Sequence, residues 1–289
     1  MTEPLLLAED LRVDVDGVPA HDGLTLRTSG ERVLVLGAPR ALFEALAGLR
    51  PVRRGSLRVR GTGAATAVVA GVVAAAPLDP PLPPKWTAIE YVTWSARLSG
   101  RTARDARGLA TKAIARVQLG AIATQPLAPM VAHARRGVVV AAALATQPQV
   151  MILEDPLRGL PEETARTWAE ILVSALEELP WAVLASHIAL TSPLAIATDE
   201  ALVVSSSRVD AQGPPAEIAA AHHRYVARIH GGLEALAAKL AERGARIDVQ
   251  GAQVLLDLGE SLTTAELLRM AGETDVTIVE MVPVARALT

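Results

Sequence analysis

Three short runs restrict what this chain can fold into. Val33-Leu34-Val35-Leu36, Val150-Met151-Ile152-Leu153 and Ala182-Val183-Leu184-Ala185 are apolar on successive residues, so a strand built from any of them must be covered on both faces. Strands of that kind lie in the interior of a parallel sheet, and parallel neighbours need crossover connections, normally helices. Stretches with helical periodicity follow where crossovers are needed, at residues 41–49, 87–98, 101–117, 135–144 and 162–179. The alternation specifies an α/β domain with a mostly parallel sheet.

Further strands are expected at residues 5–15, 24–27, 57–59 and 67–73, the last because it is β-branched on both faces. A proline-rich loop occupies residues 77–84. Past Gly213-Pro214-Pro215 the pattern changes to strand (225–229), helix (233–243), strands (246–249 and 254–258), helix (264–271) and strand (276–281). That βαββαβ order is ferredoxin-like. Two domains are predicted, residues 1–220 and 221–289.

Half the residues are hydrophobic (51%) but only 2% are aromatic, so the core must be Ala, Val and Leu, with Trp86, Trp94, Trp168 and Trp181 expected as isolated large fillers. The absence of cysteine excludes disulfides, thiolate catalysis and Cys-type zinc sites. His222-His223 and His230 have no acidic cluster beside them, and no metal is expected. A net charge of −3 gives no sequence-wide attraction to nucleic acid. The first residues lack the basic segment of a signal peptide. The most apolar run, 64–78, is broken by Gly71 and Pro77 and falls short of the ~20 residues of a membrane span. A soluble or peripheral protein is expected.

Five segments carry chemical information. Gly30-Glu31-Arg32-Val33-Leu34-Val35-Leu36-Gly37 is a strand and turn, continued by Ala47-Gly48-Leu49, Pro51 and Gly55. Met151-Ile152-Leu153-Glu154-Asp155-Pro156 is a strand ending in two acids, with Gly159-Leu160 behind it. Met130-Val131-Ala132-His133-Ala134 opens a helix, Gly71 to Pro77 includes Ala75, and Val183-Leu184-Ala185-Ser186-His187 closes a strand. In this order and spacing the segments resemble the nucleotide-binding domain of ATP-binding-cassette (ABC) transporters, over about residues 5–220. The similarity is to exporter-type ATPase subunits with a small C-terminal extension. The resemblance implies a P-loop NTPase-like fold with a helical subdomain, followed by the ferredoxin-like unit.

It also shows what has been lost. Between Gly37 and Ala47 the family carries G-x-x-x-x-G-K-[ST], whose backbone N–H groups wrap phosphates, whose Lys neutralises them and whose hydroxyl holds Mg²⁺. Here Gly37-Ala38-Pro39-Arg40-Ala41-Leu42 is roughly four residues shorter than that pattern. It has neither Lys nor hydroxyl, and Pro39 removes one donor. Arg40 falls in the first helical turn, where an anion could still be attracted; otherwise it is simply solvated. The Walker B pair, normally Asp then Glu, is transposed to Glu154 and Asp155, a site of poor catalytic geometry or merely a solvated acidic strand end. Residues 130–134 occupy the place of the signature that grips the γ-phosphate of the other subunit, with no hydroxyl at Val131 and a ring at His133. Ala75 stands at the Q-loop glutamine, Val15 at the adenine-stacking aromatic and Pro161 near the D-loop aspartate. His187 matches the switch histidine.

By this resemblance the chain is expected to be a pseudo-ATPase subunit. It would pair with an intact ABC ATPase subunit as a heterodimer and dock on a multispanning membrane subunit through Pro83 and Trp86, at the cytoplasmic face of the membrane. It would bind no nucleotide alone, with ATP and Mg²⁺ only at a site shared with the partner. Two alternatives stay open: a slow ATPase using Arg40, Glu154, Asp155 and His187, and a scaffold with no transport role.

Overall fold

The computed structural model describes residues 3–37, 39–186, 188–190, 192–220, 224–231, 233–250, 253–258, 262–274 and 276–283; His187 and His222-His223 lie outside them. In chain order the elements are β1 (Leu6–Val15), β2 (Val18–Arg27), β3 (Arg32–Gly37), α1 (Pro39–Leu46), β4 (Arg54–Val59), β5 (Thr62–Gly63), α2 (Ala64–Val69) and β6 (Val73–Ala76). Then come α3 (Ala88–Leu98), α4 (Ala103–Arg116), a 3-10 turn (Gly120–Ile122), α5 (Ala132–Leu144), β7 (Val150–Glu154), α6 (Glu162–Ala175), β8 (Trp181–Ala185), α7 (Pro193–Ile196), β9 (Glu200–Val204) and β10 (Val209–Gly213). The rest is α8 (Pro215–Ala220), β11 (Arg224–Gly231), α9 (Leu233–Glu242), β12 (Arg246–Gln250), β13 (Gln253–Asp257), α10 (Thr264–Glu273) and β14 (Val276–Pro283). Two compact units result, divided between Pro215 and Ala216.

The three apolar runs become adjacent or near-adjacent strands of a six-stranded sheet ordered β10-β9-β3-β8-β7-β6, parallel throughout except for β10. A second, antiparallel sheet, β2-β1-β4-β5, lies over one face. Its inward residues Leu6, Leu11, Leu24, Leu57 and Val59 share one core with Val33, Val35, Ile152 and Leu184 of the central sheet. Helix α1 fills the space between them, burying Leu42, Phe43 and Leu46. Helices α3, α4 and α5 form a helical subdomain, α3 opened by a reciprocal Thr87–Glu90 capping box. No helix among the described residues is long and apolar enough to cross a membrane.

Several expectations need correction. Residues 67–73 are not one strand: α2 runs through Ala64–Val69, stops at Gly71 (φ +70°), and β6 begins only at Val73. Alanine-rich helix and buried strand are both apolar here, and the burial of Ala64 and Ala67 selects the helix. Strands β9 and β10 have no counterpart among the strands expected above; β9 opens on the acidic residue Glu200, directly after Asp199. Of the four tryptophans, Trp168 and Trp181 are buried as expected, whereas Trp86 and Trp94 are 37% and 44% exposed. Two arginines of β4 and its turn are paired, Arg54 with Asp10 and Asp22 and Arg60 with Glu31.

The C-terminal unit has the βαββαβ order with strands arranged β12-β13-β11-β14, every pair antiparallel. Leu236, Leu240, Leu256, Leu267 and Met270 form its core, between the sheet and its two helices. This is the ferredoxin-like arrangement.

The acids at the start of β9 fasten the central sheet. Glu200 is buried and accepts from the Ser29 N–H and hydroxyl, the Gly30 N–H and the Gln212 amide, at 2.8, 2.9, 3.2 and 2.8 Å. Burial raises its pKa, but these donors outweigh burial and hold it below the usual glutamate value. The stabilisation is therefore full above the ordinary glutamate range and is lost as pH falls through the lowered folded-state value. Glu200→Ala leaves buried donors unpaired and should cost about 2–4 kcal/mol in urea unfolding at neutral pH. The gap between variant and wild type should narrow as the acid limb is entered; a gap that is constant with pH contradicts this account.

Candidate functional site

In a parallel sheet the strand ends that share one edge are where chemistry collects. Here that edge is formed by Gly37 of β3, Glu154 of β7, Ala185 of β8 and Ala76 of β6. Strand β3 ends at Gly37 and α1 already begins at Pro39. Gly37 has φ +119°, and a Cβ there would lie 1.9 Å from the carbonyl oxygen of Val204 on β9. Close packing of β3 on β9 thus requires glycine at this point.

Arg40, 79% exposed along its side chain, does not reach into an open cradle. Its Nε donates to Glu44 one helical turn on, at 3.1 Å. Glu44 also receives Arg50, whose Nη1 reaches the Asp14 carbonyl at 2.9 Å. Burial acts to raise the Glu44 pKa, but the bonds from Arg50 and Arg40 win and hold it low. Arg40 is held above its ordinary value first by the Glu44 bond and then by the field of Glu154.

The two Walker B-like acids serve different ends. Glu154 accepts the Leu78 N–H at 3.1 Å, tying β7 to the loop after β6. Asp155 is 2% exposed, which overturns the reading of a solvated acidic strand end. One carboxylate oxygen accepts both the N–H and the hydroxyl of Ser186, while the other has no partner. Its backbone is left-handed (φ +42°), and its N–H donates to the Leu184 carbonyl at 2.8 Å. The carboxylate sits between strand ends rather than in the solvent space where a reacting water would lie.

At the signature position, Val131 caps α5 without a side-chain hydrogen bond and is exposed. Ala132 is also exposed, His133 is half-buried, and Met130 and Ala134 are buried. Two residues beyond Ala134, Arg136 is buried in the helix face. It donates to the Pro156 carbonyl at 3.2 Å and to Asp79 at 3.3 Å, joining α5 to the turn after β7 and to the loop after β6. Ala75 lies within β6, Val15 ends β1 and Pro161 caps α6. Pro83 and Trp86 sit on the loop into α3, where Trp86 meets Trp94 edge-on at 5.7 Å and Tyr91 lies 6.1 Å from Trp94. The structure therefore gathers Gly37, Arg40, Glu154 and Asp155 at one sheet edge and places 130–134 and Trp86 on the helical subdomain. Glu44, Ser186 and Arg136 were missed. Only Glu44 left a signal, four residues after Arg40.

No family model matches the chain. A Methanopyrus kandleri protein that carries the name of an ABC transporter ATP-binding protein is 26% identical over 213 residues, 70% of this chain and 78% of that one. Among solved structures, a Clostridium perfringens protein, part of the ABC transporter complex cbiONQ, has a TM-score of 0.65 at 21% identity, covering 75% of this chain and 91% of its own. The ADP conformation of an ATP-binding cassette gives 0.64 at 14% identity, covering 76% and 95%. The likeness fixes the fold: an ABC-type nucleotide-binding domain.

The two acids can be told apart experimentally. Asp155→Ala should cost about 2–3 kcal/mol, because it frees the buried donors of Ser186. Glu154→Gln keeps an acceptor for Leu78 and should change stability by under ~0.5 kcal/mol. Equal losses in chemical denaturation would contradict the assignment of Asp155 as a clamp.

Proposed function

We propose that this chain is a catalytically degenerate ATP-binding-cassette subunit. In this reading it pairs with an intact ATPase subunit and sits on a membrane subunit at the cytoplasmic face. What carries the reading is the short passage from β3 to α1, with Pro39 as the first helical residue and Arg40 bound to Glu44. Phosphate binding at a strand–helix junction needs several convergent N–H groups and a compensating cation. This junction offers a turn too short to encircle a phosphate and a cation already paired. The surrounding scaffold is retained, as expected when fold and site are separable.

In ABC dimers each composite site joins one subunit's phosphate loop to the other's signature. Paired with an intact subunit, this chain would contribute its missing loop to one site and residues 130–134 to the other. Only the second could turn over, with Val131 supplying no hydroxyl and His133 adding bulk. One lost transition-state donor typically costs about 10²–10³ in rate, so weak activity would persist.

The exposed aromatic cluster supports docking on a membrane subunit. The chain has only four Trp, two Tyr and one Phe, yet Trp86, Tyr91 and Trp94 meet on one surface. Buried aromatics are the usual anchors of interfaces.

Isothermal calorimetry on the isolated chain should detect no ATP–Mg²⁺ binding at millimolar nucleotide. Micromolar binding abolished by Arg40→Ala would overturn the reading in favour of a slow enzyme. In the purified complex, Val131→Ser with Ala132→Gly and His133→Gly should raise ATPase activity, whereas Glu154→Gln should leave it unchanged; the reverse pattern would mean that this chain binds its own nucleotide. Replacing Trp86 and Trp94 together by Ala should weaken co-purification with the membrane subunit by tenfold or more, on the order of the loss of one interface anchor. Undiminished assembly would remove the docking surface from the proposal.

A further inference from the structure

Positive charge is unevenly placed in this molecule. The whole chain carries −3, but residues 97–116 contain six basic side chains and one acidic one. Many arginines elsewhere are matched with carboxylates, Arg12 with Asp14, Arg50 with Glu44, Arg54 with Asp10 and Asp22, Arg208 with Asp210, and the last residue of α4, Arg116, meets Glu178. Over the earlier turns of α4 the pattern breaks. Arg101, Arg104 and Lys112 converge on a concavity of about 410 Å³ shared with Asp105, Gly108, Leu109 and Gln147. Neither Arg104 nor Lys112 has a hydrogen-bond or ion-pair partner among the described residues.

The remaining polar groups leave that charge uncompensated. Arg101 is fixed by one bond to the Thr146 carbonyl at 3.2 Å, which orients its guanidinium and leaves its other donors unbonded. Asp105 is the one carboxylate on the wall, and it is engaged with the Thr102 hydroxyl at 2.7 Å as part of the helix cap. Gln147 brings an amide from the turn between α5 and β7. Three cations around one carboxylate repel one another unless a counter-charge joins them. The set suits a phosphate: Arg presents a planar fork that bonds two oxygens at once, and Lys adds a mobile point charge. The volume lies within the ~300–1,000 Å³ of ordinary ligand sites.

We propose that this concavity on the helical subdomain binds a phosphate-bearing anion, at a site separate from the β3–α1 junction and independent of any nucleotide there. Gly108 and Leu109 add a small, uncharged floor, so the anion is recognised by charge and donors rather than by a ring-stacking surface. Soluble phosphates and phospholipid headgroups share that chemistry, and experiment separates them.

The test uses the full chain in three forms: wild type, Arg104→Gln with Lys112→Gln, and Arg40→Ala. Since Arg104 and Lys112 are exposed and unpaired, the double variant should keep the wild-type circular dichroism and unfolding midpoint. Inorganic pyrophosphate titrated by calorimetry should bind saturably to wild type and to Arg40→Ala, and at least tenfold more weakly to the double variant. Binding should weaken steeply between low and physiological salt. Sedimentation with vesicles of phosphatidylglycerol in phosphatidylcholine identifies the source: recovery of wild type but not of the double variant assigns a lipid headgroup, and pyrophosphate binding without vesicle recovery assigns a soluble anion. The proposal fails if neither probe binds wild type. It fails equally if binding survives in the double variant or is lost in Arg40→Ala, which would place the anion at the start of α1.

Discussion

The length of the connection between β3 and α1 governs the rest of the N-terminal unit. Gly37 is pressed against the Val204 carbonyl, so β3 cannot bulge outward at its end, and Pro39 starts the helix at once. With no loop to absorb slack, α1 is drawn straight onto the core, where Leu42, Phe43 and Leu46 bury almost completely. Each such side chain is worth about 1.5–3 kcal/mol of burial. A phosphate loop surrounds its ligand with backbone N–H groups that are costly to leave unpaired; this junction has no such loop to satisfy.

The charges near the sheet edge have settled into local partnerships. Arg40 and Glu44 lie on one helical face, and Arg50 completes a cluster that also pins the chain after α1 to the end of β1 through the Asp14 carbonyl. An exposed pair such as Arg40–Glu44 contributes only a few tenths of a kcal/mol, so it does not hold the fold. What matters is that it occupies the cation. Asp155 is the more consequential partner, because it is buried and joins β7 to β8 through Ser186. A left-handed non-glycine residue costs of order 1–3 kcal/mol and persists only where its surroundings over-determine it; the Asp155 N–H, bonded to Leu184, and the two donors from Ser186 do so here.

Much of this was legible in the residues themselves. Runs apolar on successive positions give β3, β7 and β8 with little ambiguity, and the C-terminal βαββαβ order was readable from periodicity alone. The misses share a cause: position in the fold overrode local character. Ala64–Val69 is equally apolar as helix or strand, and only the core contact of Ala67 decides it. Asp199 and Glu200 look like loop residues, yet their carboxylates satisfy the backbone N–H groups entering β3, and β9 begins there. An acid at a strand end suggests water, but Asp155 turns inward because Ser186 is across the gap. The exposure of Trp86 and Trp94 departs from their expected place in the core, because the two rings pack against each other on the helical subdomain instead.

The proposed loss of the phosphate site also bears on where constraint remains. If the chain has no phosphate to wrap, as proposed above, the residues that would touch it are free to change, whereas those that position its helices are not. The buried Arg136 illustrates the difference. It spans from α5 to the Pro156 carbonyl and to Asp79, fixing the helix that begins with residues 130–134 to the turn after β7 and to the loop that leads toward Trp86. Burying a guanidinium is expensive unless it is bonded, so such a residue persists where the geometry it enforces is needed. No phosphate contact in the proposed reading requires Arg136. Holding the signature-position helix and the aromatic loop in one fixed relation does require it, and that relation is what a subunit would need if its remaining task were to present two surfaces at once.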